Sequence, residues 1–280
     1  MGIRDAEVIV LPDEPAVARA AAERTVACLR AALDARGTAH LALTGGSSAV
    51  TLYHELARPP WRDAIDWRGV HMWWGDDRYV PRDHPESNAG LAYRLLFAVS
   101  AHAGESGAGA EAVDALAGDV PGLLLDAAKV HPIPAEEALA RGADANWAAQ
   151  QYADEIARLL PVDAAGVPAF DLILLGIGTD GHTLSVFANS PALDPAAPVV
   201  MAIPAPEHIE PHLERVTLST RVLPTAGAVV VMSSGSSKGE MIANVLGSER
   251  DPKRWPAQAA ILPNAVWFLD EGAASLVRPG

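Results

Sequence analysis

What the chain is short of narrows its possibilities first. Its 280 residues include one cysteine, Cys28, which excludes an internal disulfide. That residue falls in an alanine-rich helical pattern, where a buried thiol is expected. Basic residues are in deficit: 21 Lys and Arg face 35 Asp and Glu, for a formal net charge of -14. Phosphate backbones are held by clustered cations, so nucleic-acid binding is not expected, although a few well-placed cations can still make a local anion site. No apolar run approaches the roughly 20 residues that span a bilayer. The opening MGIRDAEVIVLPDE carries acids and only a short apolar run, unlike a secretory leader. A cytoplasmic protein without membrane contact is the expectation.

What is present fits a globular protein: half of the residues are hydrophobic and a fifth are charged. The length suffices for a large core, read here as a single domain over residues 1–280. Short apolar or β-branched runs alternate with amphipathic stretches. Strands are expected at 7–11, 40–44, 70–74, 171–178, 199–203, 215–219, 228–232 and 265–270. Helices are expected at 14–35, 48–57, 87–98, 145–160 and 238–246. The run DLILLGIG at 171–178 is apolar throughout, as in a strand covered on both faces. Alternation of this kind implies an α/β fold with a mostly parallel sheet. Residues 101–128, rich in Gly and Ala without steady periodicity, read as a surface insertion.

Ligands of such folds bind beyond the C-terminal ends of the strands, so the loops that follow strands carry the chemistry. In TGGSSAV (44–50), Gly45 and Gly46 permit close backbone approach, and Ser47 or Ser48 can cap a helix whose first N–H groups face an anion. No G-x-x-x-x-G-K-[ST] nucleotide loop is spelled there. In WWGDDRYVPRDHPESN (73–88), Arg78 lies just past a strand end, where its fork of donors suits phosphate or carboxylate. Asp76 and Asp77 read as groups that orient Arg78 or cap the next turn, and no metal spacing is matched. Gly235–Gly239 spells G-x-S-x-G, but all nine histidines precede it, so a serine hydrolase triad in the order Ser, acid, His cannot be completed. Lys238 opposes the dipole of the helix it opens, a cost that a bound anion would reverse.

The loop GIGTDGHTLSVFANSP (176–191) starts with the spacing of a dinucleotide-binding turn. Pro191, Pro195 and Pro198 then crowd the expected helix, and AAPVVMAI (196–203) lacks the acid that would hold a ribose. The remaining reading is a flexible turn, with Gly178 and Gly181, that presents Asp180 and His182 at the sheet edge.

Five stretches, TGGSS, the set Trp74, Arg78, Val80, Pro81, Ser87 and Asn88, then GIGTDGHTLSVF, RVTLS and GSSKGEMI, occur in one order along nearly the whole chain. Together they resemble the 6-phosphogluconolactonase family. The departures are Asp77, where that family usually has Glu, and HTLSVFA, where it often has HTASLFP. The resemblance implies a three-layer Rossmann-like fold with a smaller α/β subdomain. It also implies hydrolysis of 6-phosphoglucono-1,5-lactone without cofactor or metal, by a monomer or homodimer. On that reading His182 is the general base and Asp180 orients it. Arg78, Lys238, Asp76, Gly45, Gly46 and Ser47 hold the phosphate and hydroxyls, and the amides of the 178–182 turn receive the oxyanion. Two alternatives remain. A glucosamine-6-phosphate deaminase would need carboxylates near the sugar, and no acid lies between His182 and Asp194. A non-catalytic sugar-phosphate sensor would leave His182 dispensable.

Overall fold

In the computed structural model, which describes residues 6–99, 122–247 and 249–277, six strands form one wholly parallel sheet. They are β1 (Glu7–Leu11), β2 (Ala39–Leu43), β3 (Val70–Trp74), β7 (Leu172–Gly176), β10 (Ala228–Ser233) and β11 (Ala265–Asp270), in the spatial order β1-β11-β10-β7-β2-β3. The central strands are buried along their length, β2 through AHLAL and β10 through AVVVMS, as strands covered on both faces must be.

Helix α1 (Glu14–Arg36) packs across this sheet beside α2 (Ser47–Leu56). It starts where the Asp13 carboxylate accepts from Ala16 N (2.8 Å) and stops at Gly37, whose left-handed φ of 73° lets its N–H reach Leu33 O. A cap of the Asp13 kind contributes about 1 kcal/mol. Val17, Ala21, Ala22, Val26 and Leu29 form its buried stripe, and the small alanines let helix and sheet approach closely. Cys28, half-buried, sits at the margin of that stripe rather than inside it.

The edge strand β3 is closed by α5 (Ala145–Leu159), which follows the short α4 (Ala135–Ala140). Tyr152 Oη accepts from Trp74 N (2.8 Å) and donates to Trp74 O (3.1 Å), satisfying two main-chain groups that an edge would otherwise leave unpaired. Past Gly75 the chain leaves the parallel sheet. β4 (Asp76–Arg78), β9 (Arg215–Leu218) and β8 (Val200–Ile203) make a separate antiparallel sheet in the order β4-β9-β8. The runs at 199–203 and 215–219 therefore do not join the parallel sheet, as alternation alone suggested, and 76–78 is a strand rather than a loop. Periodicity marks a strand but not its partner, and a three-residue strand is too short to show a period.

The helix expected at 87–98 ends earlier, as α3 (Asn88–Leu95), and Phe97–Val99 becomes β5, paired in parallel with β6 (Leu123–Leu125). Residues 101–121 of the expected insertion lie outside the described residues. Its last residues belong to the fold, since Leu123 and Leu125 are buried in the core. The C-terminal part adds α6 (Gly239–Gly247) and α7 (Glu271–Ala274). Among the described residues no helix is long and apolar enough to cross a membrane.

This strand order fixes where a ligand can enter. From β2 the chain runs outward to β3, and on its return β7 lies on the other side of β2. The loops after β2 and β7 therefore diverge at their C-terminal ends, and such a switch point leaves a crevice in an open α/β sheet.

Candidate active site

A cavity of about 180 Å³ occupies that crevice. Its wall is supplied by the loops after β2, β7 and β10 and by the antiparallel sheet, through Gly45, Gly46, Ser47, Asp76, Arg78, Gly178, His182, Arg215 and Lys238 among others. Five segments far apart in sequence thus meet where the sheet opens.

The turn after β7 is built around His182. Its Nδ1 lies 2.5 Å from Asp180 Oδ1, with side chains only 19% and 22% exposed, so water screens the pair weakly. A side chain at residue 178 would forbid this arrangement: a Cβ there would lie 2.1 Å from both Cε1 and Nδ1 of His182. Burial on its own raises the Asp180 carboxyl, but hydrogen bonds from His182 and from His208 outweigh it and hold the group well below the usual carboxylate range. An ionised carboxylate only accepts, so Nδ1 of His182 carries a proton, and in the neutral ring the lone pair is then on Nε2. The His182 ring also packs against Phe187, with centroids 4.7 Å apart.

Three amides of this turn are already engaged. Gly178 N donates to His182 O (2.9 Å), Gly181 N to Gly178 O (3.1 Å) and His182 N to Asp180 Oδ1 (3.2 Å). Those three N–H groups are engaged within the turn and stiffen it, which narrows the expected oxyanion donors of the 178–182 turn to the amides of Thr179 and Asp180. Gly181 is likewise not on the cavity wall. It packs against Trp255, and its carbonyl accepts from Ala257 N (2.9 Å).

Free donors come from the loop after β2. The N-cap of α2 is Gly46, with no side-chain cap, so neither Ser47 nor Ser48 closes the helix start. The first-turn N–H groups face the cavity with their partial positive charge unanswered, an arrangement suited to an anion. Gly45 is needed for a second reason, since a Cβ there would sit 1.9 Å from Asn88 Oδ1. Asn88 in turn accepts from Arg78 Nη1 (3.0 Å) and donates to Asp76 O (2.9 Å), so it joins the first loop to the second.

Two arginines stand side by side on the antiparallel sheet. Arg78 of β4 is the direct register partner of Arg215 of β9. Like charges placed opposite each other on neighbouring strands destabilise a sheet. Arg78 donates to Glu86 O (2.6 Å) and Arg215 to Pro211 O (2.8 Å). Each keeps a buried Nε without a hydrogen-bond partner among the described residues. Burial lowers the Arg215 pKa, with the Asp76 carboxylate opposing that effect. Asp76 is held by Ser185 Oγ (2.6 Å). Lys238, in the turn before α6, donates to Ile177 O (2.7 Å); burial lowers its pKa and the charge of Asp180 pulls the other way. A buried guanidinium (Arg215), a half-buried one (Arg78, with Glu86 Oε2 at 3.6 Å), a half-buried ammonium and an uncapped helix start share one cavity on a chain of net charge -14. Only an anionic ligand gives all of them a partner.

Asp77 points away from this set. Its Oδ1 accepts from Arg78 N (2.7 Å) and Asn88 N (2.6 Å), and its Oδ2 from Ala89 N (2.9 Å). Burial pushes it up to about 6 against those donors. Its work is to pin the loop that carries Arg78 onto the start of α3.

Arg215 and His208 are the site residues that sequence reasoning did not single out. RVTLS reads as a strand whatever its first residue does, and His208 falls in a Pro- and Glu-rich loop without pattern. Only the antiparallel register brings Arg215 to Arg78.

Comparison with known proteins agrees with this geometry. The family profile described as glucosamine-6-phosphate isomerases/6-phosphogluconolactonase matches residues 12–267. A protein named 6-phosphogluconolactonase from Synechocystis is 34% identical over 263 residues, covering 92% of this chain and 94% of its own. One of the same name from Mycobacterium tuberculosis is 33% identical, covering 95% and 96%. The crystal structure of 6-phosphogluconolactonase from Leishmania guyanensis superposes with a TM-score of 0.77 at 28% identity, over 98% of this chain and 99% of that one. The chain belongs to the glucosamine-6-phosphate isomerase/6-phosphogluconolactonase family.

Proposed function

We propose that this chain hydrolyses 6-phospho-D-glucono-1,5-lactone to 6-phospho-D-gluconate, in the oxidative pentose phosphate pathway, with His182 as the general base. The observation that carries the reading is the union, in one cavity, of a His–Asp pair with an unengaged Nε2 and a cluster of cations whose arginine Nε atoms lack a partner among the described residues. The phosphate of the substrate lies among Arg78, Arg215, Lys238 and the first turn of α2, and its charge relieves the repulsion between the arginines. The sugar ring then faces the turn after β7, with Asp76 and Asn88 for its hydroxyls.

The lactone is an activated ester, so water needs a base and a stabilised oxyanion, and the chemistry calls for no cofactor. Nε2 of His182 takes a proton from water as the oxygen attacks C1. Asp180 stabilises the imidazolium that forms. The carbonyl oxygen becomes an oxyanion near the cationic wall. When the tetrahedral intermediate collapses, the C1–O5 bond breaks and O5 leaves with the proton from Nε2. The ring opens to the acid, and the base is restored.

The competing deaminase reaction moves a proton between carbons of an aldose or ketose and draws on carboxylates at the sugar. The carboxylate on this cavity wall, Asp76, is already engaged by Ser185 and Asn88. The half-buried, unpaired Cys28 suits a reducing, cytoplasmic setting. One chain supplies every residue named here, so a monomer or a homodimer serves equally. The test is a coupled assay on freshly generated 6-phosphogluconolactone beside glucosamine 6-phosphate. Turnover of the lactone alone is expected; release of ammonia from the amino sugar would overturn the reading.

A further inference from the structure

Asp180 has a second histidine. Its Oδ1 faces His182, while its Oδ2 lies 2.9 Å from Nε2 of His208, on the loop that connects β8 to β9. The two histidines thus take opposite oxygens of one carboxylate. Because that carboxylate is ionised and can only accept, Nε2 of His208 must carry its proton, just as Nδ1 of His182 does.

The loop bearing His208 is braced internally, with His212 Nδ1 2.6 Å from Pro206 O, and is tied to the site where Pro211 O accepts from Arg215. Phe187 joins these parts. His208 meets its face edge-on, with centroids 5.5 Å apart at 90°, while His182 packs against the same ring and the Arg215 guanidinium lies 5.4 Å from its centroid. The carboxylate and Arg215 therefore contact this loop directly, and the base meets it through Phe187.

We propose that His208 is a positioning residue for the lactonase reaction: by holding Oδ2 of Asp180 it fixes the carboxylate plane so that Oδ1 addresses Nδ1 of His182. A carboxylate held by one donor can rotate about its Cβ–Cγ bond and present either oxygen, or neither, to the imidazole. With both oxygens engaged the rotation stops, and the Nε2 lone pair of His182 keeps one direction toward the cavity. His208 is half exposed, so its effect is a graded one, unlike that of the base itself. This inference rests on the reading of His182 as the base, but its first effect is on a hydrogen bond and can be observed without turnover.

The experiment compares H208A and H208Q in the full chain. Gln carries an amide N–H at about the reach of His Nε2, so it can restore the donor without the ring. For H208A, kcat is expected to fall about 3- to 10-fold with KM nearly unchanged, as for a partly exposed hydrogen bond to a charged group. H208Q should recover most of that loss. In proton NMR, the downfield Nδ1–H resonance of His182 should broaden or move in H208A and return in H208Q. Wild-type kcat in H208A would overturn the proposal. Equal losses in H208A and H208Q with the resonance unmoved would also overturn it, since the loop would then matter only for packing. If H182A retained full activity, the general-base reading would fall, while the resonance of His182 would still decide the role of His208.

Discussion

At the scale of the residue, the site is defined by groups that lack partners. Arg215 has a buried Nε with no acceptor among the described residues and faces another arginine in register. Replacing it with Gln should raise KM for the lactone about 10-fold or more, the worth of a hydrogen bond to a charged group, and Lys should restore little because its ammonium lacks the fork. Steady-state kinetics on both variants check this; an unchanged KM would remove Arg215 from the phosphate site. Gly178 makes a sharper case. A methyl there would lie 2.1 Å from the His182 ring, so the ring must move. Turnover of G178A should drop about 10²-fold, as expected for a misplacement near 1 Å, while thermal unfolding stays close to that of the parent. His182, Asp180, Gly178, Arg78 and Lys238 could all be picked out in the sequence, because each follows closely on an apolar strand of the parallel sheet. Arg215 could not, since its meaning comes from the strand across from it.

At the scale of the element, the strands of the parallel sheet and the long helices are legible because they bury continuous apolar runs or stripes that no loop would carry. The short elements are not. β4 holds Asp76, Asp77 and Arg78, three charged residues that no strand pattern predicts, and it exists because β9 and the start of α3 supply its partners. Asp77 shows what that costs to disturb. Its two oxygens accept three backbone N–H groups, so an Asn there would turn one donor toward another. D77N should lose about 1–3 kcal/mol of stability by urea unfolding and raise KM, since Arg78 and Asn88 are the residues it anchors. A variant as stable as the parent would show that the anchor is dispensable. The same contacts explain why an Asp can stand where the resembling family has Glu: the carboxylate meets main chain close by and needs no longer reach.

At the scale of the whole molecule, active site and stability sit at opposite ends of the sheet. At the N-terminal ends of β2 and β3, His40 and His71 stack with centroids 4.6 Å apart, and His71 Nδ1 lies 2.9 Å from His131 Nε2. Burial, and for His71 also the neighbouring His40, lowers both pKa values to about 4, with Asp171 countering at His40. Unfolded histidine titrates near 6.5, so below that pH the unfolded chain takes up protons that the folded one refuses. The cluster's contribution is therefore full above about 6.5 and erodes as pH falls from there through about 4, while Asp77, pushed up to about 6, acts in the opposite sense as one group against two. The urea midpoint should drop between pH 7.5 and pH 5, and less steeply in H71Q; a flat midpoint would show that the cluster does not report on folding. No sequence pattern announced this cluster, because the register of β2 against β3 assembles it.

The account turns on His182 as the base of a lactone hydrolase, and one measurement meets it directly. Turnover of 6-phosphogluconolactone by H182A is compared with the parent after subtracting spontaneous hydrolysis, with circular dichroism to confirm the fold. A loss of about 10²–10⁴-fold with the fold intact is the predicted result. Near-parental turnover in that variant would contradict the account.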